Sequence, residues 1–218
     1  MHSFLHPRTS LRVTHAALLL LVLSACSTFR TPADDRFPLL QQSRNLLESG
    51  DLRKAQTLTQ QIIARYGPSP FLLNQMALID NRQGQGEKTL RILRYGHRLF
   101  PGSETLTLNL AKEYLAQRDP LSARNTLLPL LDQKSWPNGF RTLMGRVDLD
   151  TGHLPEAHLF LHEALARHPD NPLLLATLGL LHQRLGLRKR ARTDFQHALV
   201  RAPHGPLRRR LKTLLAHR

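Results

Sequence analysis

The sequence predicts an all-α solenoid, five tandem 34-residue helix-turn-helix repeats closed by a C-terminal helix. Three observations carry that expectation. Shifting the chain against itself by 34 residues brings glycines, alanines and prolines into register from residue 36 to 205 without a gap. Within each copy, apolar residues recur at i, i+3, i+4 and i+7, the spacing of one helix face. The composition is 41% hydrophobic but only 6% aromatic, with Leu and Ala throughout, which suits helix-on-helix packing better than strands.

Residues 1–25 read as an export signal. Arg8, Arg12 and three histidines stand in the first fifteen residues without an acid, and Ala16 to Leu23 is an unbroken apolar run. Eight apolar residues make only about 12 Å of helix, well short of the ~30 Å hydrocarbon core, so a permanent span is disfavoured. Leu23, Ser24, Ala25 and Cys26 follow at once. These four resemble the lipobox of bacterial lipoproteins, which implies diacylglycerol on the Cys26 thiol. Cys26 is the sole cysteine, so no disulfide partner competes for it within the chain. Ser27, rather than Asp, in the next position implies sorting to the periplasmic face of the outer membrane of a Gram-negative cell. Acyl chains contribute about 0.8 kcal/mol per buried CH₂, so a multiply acylated cysteine anchors without a spanning helix. Residues 26–35 then make a polar linker that keeps the folded part near its bilayer.

The five copies run 36–69, 70–103, 104–137, 138–171 and 172–205. In the last, Leu175, Leu178, Gly179 and His182 share one face of a first helix that Gly186 ends. Ala191, Phe195 and Ala198 share a face of the second helix, which Pro203 ends. Equivalent small residues in the first helices are Ser43, Ala77, Ala111, Gly145 and Gly179; in the second helices they are Ala55, Thr89, Ala123, Ala157 and Ala191. Turn glycines fall at 50, 84, 152 and 186, with Arg118 as the exception. Closing prolines are Pro101, Pro169 and Pro203, with Gly67 and Ser135 as departures. This pattern resembles the tetratricopeptide repeat over residues 36–205. Ser69 before Pro70 and Asn171 before Pro172 place a capping side chain ahead of a proline at the first helical position. Repeat one departs most, with Gln42 and Thr59 at positions that later copies give to larger apolar residues. Pro129 falls inside the second helix of repeat three and should kink it, and Trp136 stands beside that break, either covering the helix end or serving as a partner hot spot.

The resemblance implies a concave face lined by the first helices and a protein or peptide ligand. Its positions here are Arg44, Leu78, Lys112, Arg146 and Leu180 in one row and Glu48, Arg82, Ala116, Asp150 and Arg184 in another. Asn74, Asn81, Leu108 and Leu115 lie between the rows. The expected groove is apolar and dotted with positive charge, and its ligand carries hydrophobic and acidic residues. The carboxylate-binding Lys and Asn arrangement of chaperone adaptors is not matched at Leu40 and Arg44.

Formal charge is +15, and residues 188–218 hold ten Lys and Arg against Asp194 alone. Residues 206–218, with Leu207, Leu211, Leu214 and Leu215 between Arg208, Arg209, Arg210 and Lys212, read as a capping helix whose arginines face outward. Solvent, anionic lipid or cell wall, and an acidic protein are the three readings of that basic surface. Export removes nucleic acid from the list of partners. His158 and His162 at i, i+4 share a helix face and give the alternative from another class, a metal-binding protein or metal-dependent enzyme. No His-Glu-x-x-His motif accompanies them, since Ala166 follows His162 by four. No nucleophile elbow, phosphate-binding glycine loop or haem-attachment motif occurs. The primary expectation is therefore a non-enzymatic scaffold without cofactor that holds other envelope proteins. Lipoproteins built from this repeat resemble the pilotins of type IV pili and other secretin assembly factors; adaptors for cell-wall hydrolases or proteases are the second binding reading.

Overall fold

In the computed structural model, which describes residues 35–216, helix starts recur with the period of the sequence. The pairs are α1 (Arg36–Glu48) with α2 (Leu52–Tyr66), α3 (Pro70–Arg82) with α4 (Gly86–Leu99), and α5 (Glu104–Ala116) with α6 (Pro120–Leu127). They continue as α7 (Phe140–Thr151) with α8 (Leu154–Arg167) and α9 (Pro172–Arg184) with α10 (Arg188–Arg201). Helix α11 (Pro206–Ala216) packs on α10. Every second helix starts 34 residues after the previous one, and the first helices keep that interval except α7, which starts two residues late. The chain is an all-α solenoid, and no strand occurs among the described residues. The export signal, Cys26 and most of the linker lie outside those residues. No helix among them is long and apolar enough to cross a membrane.

Small residues let the helices of a pair approach. A Cβ on Gly179 would stand 2.5 Å from Cε1 of Phe195, far inside van der Waals contact, so the ring occupies the space that any larger residue needs. Gly145 presses on Leu161 in the same manner. The first pair uses polar groups at this seam. Ser43 and Thr59 are fully buried and share a hydrogen bond of 2.7 Å, and Gln75 Nε2 donates to Ser43 Oγ at 2.6 Å. Thr59, apparently out of pattern in the sequence, is thus satisfied by its neighbours.

Capping follows the side chains available. Ser69 Oγ accepts from the Leu72 amide at 3.3 Å, and Asn171 Oδ1 accepts from Leu173 and Leu174 at 3.0 and 3.3 Å. At the turn that lacks glycine, Arg118 itself takes the left-handed conformation, with φ 61°. Its amide still donates to Leu115 O at 3.1 Å, so the helix ending is conserved in geometry at the expense of backbone strain.

Pro129 ends its helix instead of kinking it: α6 stops at Leu127 and Leu128–Leu130 forms a 3-10 turn. The missing amide and the ring clash prevent continuation of the α ladder. Trp136 covers the break. Its ring lies 5.2 Å from that of Phe140 and 5.6 Å from that of Phe160, and Nε1 donates to Leu131 O at 3.4 Å. The rerouted chain delays α7 by its two residues.

Consecutive first helices from α3 to α9 pack against one another, and among the described residues no consecutive second helices meet as extensively. The first helices therefore form the tighter, inner layer. At the C-terminal end, Leu211 is buried among Leu175, Ala176 and Phe195. Arg208 departs from the outward orientation expected of the tail: its Nη1 donates to Leu199 O at 3.0 Å and Ala202 O at 2.9 Å, closing the end of α10.

Candidate functional site: the inner groove

The inner face has a polar centre assembled from α3 and α5. Asn109 Nδ2 donates to Asn74 Oδ1, and Asn81 Nδ2 donates to Glu113 Oε2 at 3.3 Å. Gln117 Nε2 donates to the other oxygen of Glu113 at 3.1 Å and to Gly86 O at 3.3 Å. Glu113 is buried and held by two amides, which satisfies its lone pairs without an opposite charge. Together with Ala77, Leu78, Leu93, Lys112 and Ala116 these side chains line a depression of about 280 Å³. Leu78 is 43% exposed on its rim, an apolar contact point beside amide groups. Lys112 Nζ rests 3.2 Å from the neutral Asn109 Oδ1 and keeps its charge in the groove.

Several expected groove residues have other duties. Leu108 is 8% exposed and sits in the core with Ala111, Leu127 and Phe140, so its assignment to the ligand surface is corrected: it faces α6 and α7. Leu115 is half-buried against the same cluster. Arg82 Nη1 donates to Leu47 O, and Arg184 Nη1 donates to Leu149 O at 2.8 Å. Each guanidinium reaches back one repeat to the end of the preceding first helix, where unpaired carbonyls and the helix dipole favour a cation. Arg44 lies over the Phe71 ring at 5.2 Å, and Arg146 Nε pairs with Asp150 Oδ2 at 2.8 Å. The evenly dotted positive charge expected from the sequence is consequently reduced at the N-terminal end.

Charge collects instead at the C-terminal end. Arg146, Arg184 and Arg210 line a second depression of about 320 Å³ with Asp150, Leu180 and Gln183. Arg210 comes from α11, so the capping helix contributes to the groove that the sequence assigned to first helices alone. Asn109 and Glu113 were also missed; both lie on α5 faces that spacing could not distinguish from solvent. Trp136 is half-buried, with Arg141 stacked on it at 4.6 Å. His158 and His162 share a face of α8, their ring centroids 4.2 Å apart.

An inner layer of first helices with an amide-and-cation groove defines the class as a tetratricopeptide-repeat solenoid. The solved structures agree. The chain is similar to PilW, described as a widely conserved type IV pilus biogenesis factor, at 15% identity and a TM-score of 0.71, over 84% of this chain and 87% of that one. It is similar to PilF of Pseudomonas aeruginosa at 14% identity and a TM-score of 0.67, over 84% and 85% of the two chains. YrrB, a TPR protein with an unusual peptide-binding site, gives 13% identity and a TM-score of 0.64, over 86% and 97%. At such identities the likeness shows the fold. No family model and no curated protein sequence matches the chain.

Proposed function

We propose that this protein is a membrane-tethered, non-enzymatic scaffold of the bacterial envelope that assists assembly or localisation of a secretin or type IV pilus machine. The inner groove carries the reading. Leu78 and the surrounding amides offer an apolar and hydrogen-bonding seat, and Arg146, Arg184 and Arg210 gather positive charge at the other end. A segment with hydrophobic residues followed by acidic ones is complementary to both. Similarity to PilW, a pilus biogenesis factor by its description, supports the particular machine. The lipobox ending at Cys26 supports tethering through lipid at the outer membrane.

Crosslinking in intact cells followed by affinity capture from detergent-solubilised envelopes tests the proposal. Recovery of secretin or pilus subunits is expected. Consistent recovery of cell-wall hydrolases or proteases instead would assign the groove to an adaptor, and recovery of no envelope protein would end both readings.

A further inference from the structure

The boundary between the fourth and fifth repeats holds imidazoles that peptide binding leaves unused. The repeat register sets one residue of each second helix opposite one residue of the next first helix. Gln56 Nε2 lies 3.4 Å from Asp80 Oδ1, and Arg124 Nε lies 2.9 Å from Asp148 Oδ1. Two repeats beyond Asp80 the same geometry pairs an arginine with an acid; one repeat further it pairs His158 with His182. His162, one turn along α8, joins them, and each of the three rings offers a nitrogen within 4.8 Å of the other two.

The surroundings suit a ligand set better than three incidental rings. His182 is 8% exposed, and its Nδ1 stands 2.5 Å from Asp194 Oδ2 on α10. A carboxylate on Nδ1 fixes the tautomer and the ring plane, leaving Nε2 to ligate, an arrangement that metal-binding histidines commonly have. His158 and His162 are exposed, which gives an ion a path in and lets both rings rotate. Zinc–nitrogen bonds of about 2.0–2.1 Å place neighbouring donors of a tetrahedron about 3.3 Å apart, a contraction that those rotations supply. Burial, with the neighbouring His158 and His182 rings, holds His162 below the ordinary histidine range, and Asp194 opposes the shift only in part. The neutral ring is the ligating form. Lys189 and Arg190 line the same depression and disfavour a bare cation there, whereas the Asp194 carboxylate offsets them and an anionic fourth ligand would gain from both.

We propose that His158, His162 and His182 form a site for one divalent transition-metal ion of the zinc class, with Asp194 as the positioning residue for His182. Three imidazoles leave a fourth position open to water or an anion. The ion would bridge α8 and α9 and so staple the last two repeats together.

Zinc titration of the full chain by calorimetry tests this, with cobalt(II) absorption reporting the coordination geometry. One ion per chain is expected, with tetrahedral cobalt bands and a rise in Tm on adding zinc. The double variant H158A/H162A alters only exposed side chains and should lose at least about tenfold in affinity together with the Tm rise. D194N should weaken binding about tenfold. H197A, an exposed histidine elsewhere on α10, is the control for general imidazole binding. Absence of stoichiometric binding by the parent, or a double variant that binds like the H197A control, overturns the proposal.

Discussion

Arg124 Nε and Asp148 Oδ1 meet 2.9 Å apart across the boundary between the third and fourth repeats. Asp148 is fully buried and Arg124 is 23% exposed, so the acid bears most of the desolvation. Burial accordingly raises the Asp148 carboxyl above the ordinary range, although the Arg124 hydrogen bond and charge pull the other way. Asp80, at the equivalent place two repeats earlier, is raised for the same leading reason. An acid whose folded value lies above its unfolded value binds its proton more tightly when folded. Its contribution to stability therefore declines as pH rises from the unfolded carboxylate value through the folded one.

Asp148→Asn should flatten that decline. Urea unfolding at several pH values between 4 and 7 should show the parent losing stability relative to the variant as pH rises, with the variant at least as stable at pH 7. A parent-minus-variant difference independent of pH would contradict the account.

Gly179→Ala places a methyl group against the buried Phe195 ring, and the same helix pair cannot separate without disturbing Leu211 beyond it. Overpacking of this kind costs about 1–3 kcal/mol. Chemical denaturation should show a midpoint lowered accordingly with an unchanged m-value. Phe195→Leu combined with Gly179→Ala should recover part of the loss by making room.

Arg118→Gly removes a side chain from a left-handed backbone position at an exposed turn. Relief of that strain should stabilise the fold by about 1 kcal/mol, seen as a higher Tm in a thermal melt. Glycine already occupies this place in the other four repeats.

Lys112→Glu with Arg210→Glu reverses charge at both ends of the groove while altering exposed side chains. Recovery of crosslinked partner should fall several-fold with Tm unchanged. Arg184→Ala differs in kind, because it removes the donor to Leu149 O and should cost about 1 kcal/mol of stability as well. Equal recovery from the parent and the charge-reversed chain would place the partner elsewhere.

Cys26→Ala removes the thiol that the lipobox pattern requires. The variant should leave the membrane fraction on cell fractionation, or accumulate unprocessed. Retention of both maturation and membrane association would show that another feature tethers the chain.

Repetition made the fold legible. A period of 34 residues repeated five times lets weak preferences at single positions add, so the helix pairs, their caps and their small contact residues can be read from spacing. Departures were less readable where a residue had two structural outcomes. Pro129 could bend a helix or end it, and the outcome depended on Trp136, Phe140 and Phe160 filling the space that remained. Leu108 illustrates the same limit in the groove. Its helical position lies between two exposed rows, but a third-repeat second helix shortened to Leu127 brings it into contact with α7.

Sequence by itself determined the period, the helix boundaries and the residues small enough to let helices touch, because each follows from local conformation and hydrophobic spacing. Only the tertiary structure decided which charges are available. Arg82 and Arg184 are consumed by carbonyls one repeat back, Arg210 enters the groove from the capping helix, and His182 meets His158 and His162 across a repeat boundary. Each of those outcomes joins residues roughly 20 to 60 positions apart, and a side chain long enough to reach several neighbours chooses among them only once packing has fixed where they stand.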